Sequence, residues 1–197
     1  MIINSLLVVF AYLVGSICSA IIVCRIFGLS DPRTEGSNNP GATNVLRLGG
    51  KKAAAITLFG DVVKGFIPVI IAKYVGVDST VLALCAMAAF LGHLYPVFYQ
   101  FKGGKGVATA FGVILGISFY VGLLLAATWL LLAYLSKISS LSALIAACLA
   151  PIYFGIIMGD TGLVLMSILM SSLLIYRHRS NIRDLIAGKE GKIGNKD

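Results

Sequence analysis

The stretch Phe101 to Thr109, FKGGKGVAT, sets Lys102, Lys105 and glycines at 103, 104 and 106 between two apolar runs. Glycine permits positive φ and lets the backbone come close to a ligand. Consecutive exposed N–H groups leading into an apolar helix make an anion-binding concavity, to which the helix dipole adds. Lys105 brings a mobile full charge to the same place. A tight turn whose lysines anchor two helices at lipid headgroups would have the same composition. The anion reading therefore depends on what else gathers on that side. A nucleotide P-loop is excluded, because the GxxxxGKS/T spacing is absent and no Ser or Thr directly follows Lys105.

A second stretch, GSNNPGATN, packs Gly36, Ser37, Asn39, Thr43 and Asn44 into a loop of turn formers and small hydrogen-bonding groups, with Arg47 just beyond. A plain turn does not need that set, and ligand binding is the favoured reading. Polar backbone at membrane depth is tolerated only where protein buries it or a wet cavity solvates it. The carboxyl-terminal tail, RHRSNIRDLIAGKEGKIGNKD, offers Arg177, His178, Asn181 and Glu190, whereas Arg179, Lys192 and Lys196 read as residues that only hold topology. Asp61 and Lys64, at i and i+3 in an apolar run, are expected to pair with each other, since an ionisable group at that depth pairs or lines a cavity. His93, in GHLYP, reads as a helix-end hydrogen-bonding residue.

These residues are carried by a chain that is 58% hydrophobic and only 12% charged. That composition is a polytopic membrane protein's and excludes an ordinary soluble domain. Cys18, Cys24, Cys85 and Cys148 all lie in apolar runs without ligand spacing, which makes them small buried hydrophobes. The amino end lacks a positive n-region and a cleavage site, so a retained helix is expected there. Spans are expected over Ser5 to Cys24, Lys51 to Val77, Val81 to Tyr99, Ile138 to Met158 and Leu163 to Tyr176, with a polar loop from Leu29 to Gly50. The apolar run Val107 to Ser136 would make one helix of roughly 45 Å, against a hydrocarbon core of about 30 Å. Charge decides between one span and two. With a break near Ser118 to Gly122 and the amino end outside, every Lys and Arg except Lys64 and Lys73 lies in a cytoplasmic loop or the tail. With a single span, Lys137 and all the tail basic residues move outside. The positive-inside rule thus favours an all-α bundle of seven transmembrane helices with a cytoplasmic carboxyl end. The net charge of +8 is explained without nucleic acid as a partner.

Together GSNNPGATNVLR, GHLYPVFYQFKGGKGVAT and RHRSNIRDLIAGKE resemble the bacterial acyl-phosphate:glycerol-3-phosphate acyltransferases, and GDVVKG at Gly60 to Gly65 is also similar to that family. Asn38 stands where the family usually has Gly, Asp184 where a basic residue is usual, and Gly191 where Pro is common. The resemblance implies a single membrane-embedded acyltransferase domain over residues 1–197, in the bacterial inner membrane, with its active site facing the cytoplasm. It implies transfer of a fatty acyl group from acyl phosphate to the 1-hydroxyl of glycerol 3-phosphate. The products are lysophosphatidic acid and inorganic phosphate, and the reaction is the first step of phospholipid biosynthesis. Gly103, Gly104, Lys105, Gly106, Thr43 and Asn44 would cradle the acyl phosphate, Lys105 also neutralising charge as phosphate departs. Ser37, Arg47, His178 and Asn181 would orient glycerol 3-phosphate, with Gly36, Asn39 and Glu190 as further binding residues. The base is either His178 or the substrate's own phosphate dianion. The dianion is preferred, because no carboxylate in the tail is placed to orient the imidazole. Neither a nucleophilic Ser–His–Asp order nor a carboxylate-rich metal motif is visible, so no acyl-enzyme, cofactor or metal is expected. The partners are the two substrates and the bilayer, and a monomer is expected. A transporter for an organic phosphate could use the same loops, but its polar groups would gather at midplane rather than at one face.

Overall fold

In hydrocarbon a backbone must satisfy its own polar groups, which leaves helices as the form for these apolar runs. The computed structural model describes residues 1–193 and is all-α, with no strand among the described residues. Residues 194–197 are not described, so the expectation for Lys196 lies outside the described residues. The chain divides into two compact units, Met1–Ile117 and a second beginning at Ser118.

The first unit holds α1 (Ile2–Gly15), α2 (Ser19–Ile26), α3 (Ala42–Val75), α4 (Ser79–Leu94), a 3-10 turn (Val97–Tyr99) and α5 (Val107–Ile117). Two expectations need correction. The first span is not one helix, because it breaks between Gly15 and Ser19. The polar loop ends at Gly41 rather than Gly50, because α3 already begins at Ala42 and kinks at Gly50, where φ is 76° and ψ −173°. Only glycine adopts that conformation without strain. The expected opening at Lys51 is the start of the segment beyond the kink. Small residues let these helices approach closely. A Cβ at Gly15 would meet the backbone of Ala89 on α4, one at Gly65 the backbone of Thr109 on α5, and one at Gly112 the backbone of Val62 on α3.

Both lysines inside α3 answer helix breaks. Lys64 Nζ donates to the Ile17 carbonyl at 2.7 Å, in the gap between α1 and α2, and Lys73 Nζ donates to the Ile117 carbonyl at 3.0 Å, where α5 stops. Each break frees carbonyls from their helical partners, and a lysine on the neighbouring helix supplies a donor.

The second unit holds α6 (Phe119–Ser136), α7 (Ser139–Ile157), α8 (Thr161–Arg177) and α9 (Arg179–Ile186). The break expected between Ser118 and Gly122 falls at Ser118, the N-cap of α6, whose hydroxyl accepts from the Val121 N–H at 3.4 Å. Asp160 caps α8 in the same way, accepting from Leu163 at 2.9 Å. The tail folds into α9 and returns to the α6–α7 turn, where the Ile193 N–H donates to the Lys137 carbonyl at 2.7 Å. Among the described residues, five helical stretches are long and apolar enough to cross a membrane, or six if α8 and α9 count as one bent span. The 11-residue α5 is shorter than these. Cys18, Cys24 and Cys85 are buried as expected, but Cys148 is exposed on α7, as an apolar thiol facing lipid can be.

Candidate functional site

The loop before α3 is organised by two side chains. Arg33 grips the Asp31 carboxylate with Nε at 3.0 Å and a terminal guanidinium nitrogen at 2.6 Å. That hydrogen-bonded guanidinium holds the Asp31 carboxyl below the usual carboxylate range. The contribution of this clamp is present above the ordinary carboxylate pKa and is lost as pH falls through the lowered folded value, so it is constant around neutrality. Asn44, fully buried on the first turn of α3, does the rest. Its Oδ1 accepts from the Ser37 N–H, and its Nδ2 donates to the carbonyls of Pro32 and Glu35, each at 2.9 Å. Gly36, at φ +63°, lies so close to the Asn44 amide that a Cβ there would overlap it. Asn38 takes φ 54°, the left-handed region in which Asn is tolerated better than most residues. The usual Gly of the family pattern is thereby explained, and so is its replacement by Asn. With Asn44 turned inward, Gly36 and Ser37 are exposed at the loop's surface and Asn39 is half-buried. Thr43 and Arg47, one helical turn apart, share the exposed face of α3.

The second loop differs from its sequence reading in one respect. Only Gly106 has positive φ, at +91°, while Gly103 and Gly104 are glycine for lack of room. A Cβ on Gly103 would strike the His93 carbonyl, and one on Gly104 the His93 imidazole at Nε2. The N–H of Gly104 is not presented to a ligand either, because it donates to the His93 carbonyl at 3.2 Å. Gln100 and Phe101, both left-handed at φ 55° and 58°, reverse the chain so that the glycines lie back against the end of α4. The position of a Gly104 Cβ would be 3.2 Å from the Pro40 carbonyl, so the two loops meet there. Pro40 precedes the amino end of α3, and Gly104 precedes that of α5. Two helix amino termini and Lys105 thus gather in one place, an electropositive arrangement suited to phosphate.

In the second unit, His178 is buried where α8 passes into α9, and its Nδ1 is 2.8 Å from the Leu174 carbonyl. A carbonyl only accepts, so Nδ1 carries the proton and Nε2 is the basic nitrogen of the neutral ring. The imidazole is therefore oriented by backbone. Glu190 Oε1 accepts from Ser140 Oγ at 2.5 Å and from Asn181 Nδ2 at 2.7 Å, which fixes the Asn181 amide and ties the tail to α7. Asp184 is exposed on α9.

Sequence reasoning passed over one group. Asp61 and Lys64 do pair, at 2.8 Å, and beside them stands His93, whose Nδ1 is 3.7 Å from Asp61 and hydrogen-bonds Thr109 Oγ1 at 3.0 Å. The polar residues at 57, 61 and 64, spaced on one face of a helix that is otherwise apolar, were the available signal.

Helices and loops together define an integral membrane bundle that builds polar, glycine-rich loops at the ends of its helices. The sequence pattern of the family described as glycerol-3-phosphate acyltransferase matches residues 5–188. The chain is 56% identical over 196 residues to a glycerol-3-phosphate acyltransferase of Thioalkalivibrio sulfidiphilus, covering 100% of this chain and 97% of the relative. It is 58% identical over 191 residues to one of Methylococcus capsulatus, covering 97% and 96%. Its fold matches the crystal structure of PlsY, an integral membrane glycerol 3-phosphate acyltransferase, in its glycerol 3-phosphate form. The TM-score is 0.92 at 43% identity, over 97% of this chain and 96% of that one. The lysophosphatidic acid form of PlsY matches with a TM-score of 0.90 at 42% identity, over 97% and 95%. The chain belongs to the glycerol-3-phosphate acyltransferase family.

Proposed function

We propose that this chain transfers a fatty acyl group from acyl phosphate to the 1-hydroxyl of glycerol 3-phosphate, releasing lysophosphatidic acid and inorganic phosphate as the first step of phospholipid synthesis. The observation that carries this reading is the meeting of the α3 and α5 amino termini beside Lys105. Family membership supports the acceptor, since its solved relatives are described in a glycerol 3-phosphate form and a lysophosphatidic acid form. An acyl phosphate already carries a good leaving group, so direct attack needs no covalent acyl-enzyme. The 1-hydroxyl oxygen bonds to the acyl carbon, the carbon–oxygen bond to phosphate breaks, and phosphate leaves with the electron pair. Catalysis then comes from positioning and from stabilising the departing charge.

In this reading Gly103, Gly104, Lys105, Gly106 and Thr43 hold the acyl phosphate, and Asn44 contributes by shaping the loop around it. Ser37, Arg47, His178 and Asn181 orient glycerol 3-phosphate, with Gly36 and Asn39 beside Ser37. Glu190 holds Asn181 in place. His178 accepts the hydroxyl proton at Nε2, an assignment supported by the bond that fixes the ring's other nitrogen. The test is donor choice. Purified protein given glycerol 3-phosphate should form lysophosphatidic acid with acyl phosphate. Activity with acyl-CoA or acyl-carrier protein but not with acyl phosphate would overturn the assignment.

The reading includes seven spans in the bacterial inner membrane, with the amino end outside and the loops cytoplasmic, α5 serving as a half-length partner to α3. Single cysteines at Ser37, Lys137 and Lys192 in a cysteine-free background should label only from the cytoplasm, and one at Asp160 only from outside. Labelling at Lys192 from the periplasm would rule out this topology.

A further inference from the structure

Asp61, Lys64, His93 and Thr109 come from three helices, α3, α4 and α5, and none is more than 6% exposed. A buried ion pair gains little stability over apolar residues of the same size, so its presence calls for a role in geometry. The contacts run in one direction. The Ile17 carbonyl holds Lys64 Nζ at 2.7 Å, and Lys64 holds Asp61 at 2.8 Å. Asp61 lies 3.7 Å from His93 Nδ1, which Thr109 Oγ1 meets at 3.0 Å. With Nδ1 hydrogen-bonded to Thr109 and the Asp61 carboxylate beside it, the imidazole presents Nε2 to Gly104 so closely that a Cβ would not fit. The His93 carbonyl at the same residue accepts from the Gly104 N–H at 3.2 Å. His93 therefore touches the glycine loop through both ring and backbone.

We infer that Asp61, Lys64, His93 and Thr109 are positioning residues, a buried polar relay that sets the conformation of the glycine loop and hence the placement of Lys105. The inference rests on the reading of that loop as the acyl-phosphate site. The relay itself does not touch substrate. It replaces the adjustable packing of an apolar core by hydrogen bonds at Ile17 and Thr109 and by the charge of Asp61 beside the imidazole, so that the loop has one conformation before substrate arrives. Preorganisation of this kind is what transition-state stabilisation by fixed charges requires.

Steady-state kinetics of the purified protein with acyl phosphate and glycerol 3-phosphate test this. His93→Phe should lower kcat by roughly a hundredfold, the loss that a displacement of about 1 Å produces, with the glycerol 3-phosphate KM unchanged. Thr109→Val, which keeps the shape and removes only the hydroxyl, should lower kcat by about tenfold, and Thr109→Ser should restore it. Because the relay acts through the loop, adding Thr109→Val or His93→Phe to Lys105→Ala should cost no more than about twofold beyond Lys105→Ala alone. Losses that multiply in the double variants would overturn the inference, as would Thr109→Val with wild-type kcat. Should His93→Phe fail to fold, the two Thr109 variants and the Lys105→Ala/Thr109→Val pair carry the same test. The two readings fail separately. A wild-type kcat for Lys105→Ala removes the phosphate site itself, whereas an inactive Lys105→Ala beside unaffected His93 and Thr109 variants removes only the relay.

Discussion

Replacing Lys105 by alanine should lower kcat for acyl transfer by roughly 10²–10³-fold while the protein still inserts and purifies as a helical bundle. That range corresponds to about 2.7–4 kcal/mol, the usual cost of removing one donor aimed at developing negative charge. Lys105 is half-buried on a loop, so its ammonium acts in surroundings that screen it less than bulk water does. The two neighbouring helix termini remain in the variant, which is why residual activity is expected rather than none. The bond to phosphate lengthens and charge grows on its oxygens only in the transition state. The loss should therefore appear in kcat and in kcat/KM together rather than in KM alone. Activity within a fewfold of wild type would remove Lys105 from the site.

His178→Asn is the second large effect, and the geometry makes asparagine the informative replacement. The amide nitrogen of Asn can take the place of Nδ1 and keep the bond to the Leu174 carbonyl, while nothing takes the place of Nε2. If Nε2 accepts the hydroxyl proton, kcat should fall by more than about a hundredfold, the lower end for loss of a general base, with the glycerol 3-phosphate KM little changed. If the substrate's own phosphate takes the proton and His178 only binds it, the variant should instead raise KM at nearly constant kcat, the signature of lost uniform binding. Saturating kinetics in both substrates distinguish the two. The backbone carbonyl that orients the imidazole shifts the expectation towards the first outcome. A carboxylate partner is only one way to fix a histidine tautomer.

Much of this protein is legible in its residues because the bilayer leaves few alternatives. Apolar runs of membrane length become helices for want of any other hydrogen-bonding solution. The break at Ser118 follows from a run too long for one span and from the side on which Lys137 must fall. The three polar stretches declare themselves because Gly, Asn, Thr and Lys are out of place among valines and leucines. The pairing of Asp61 with Lys64 follows from the cost of leaving either alone.

Other features depend on atoms that are distant in the chain. Nothing near Gly15 announces that its helix stops there, since the carbonyl freed at Ile17 is answered by Lys64, 47 residues away. Asn44 reads as a ligand for phosphate until its three bonds are seen to close the loop around Ser37. Gly103 and Gly104 read as flexible, yet they are glycine because His93 occupies the space a side chain would need. His93 itself reads as a helix-end residue and turns out to join Asp61 to the glycine loop. Periodicity, charge and composition are local quantities, and they determine which segments enter the membrane and which stay polar. Which buried donor meets which acceptor is settled only when helices pack, because each such contact is made between residues that the sequence keeps far apart.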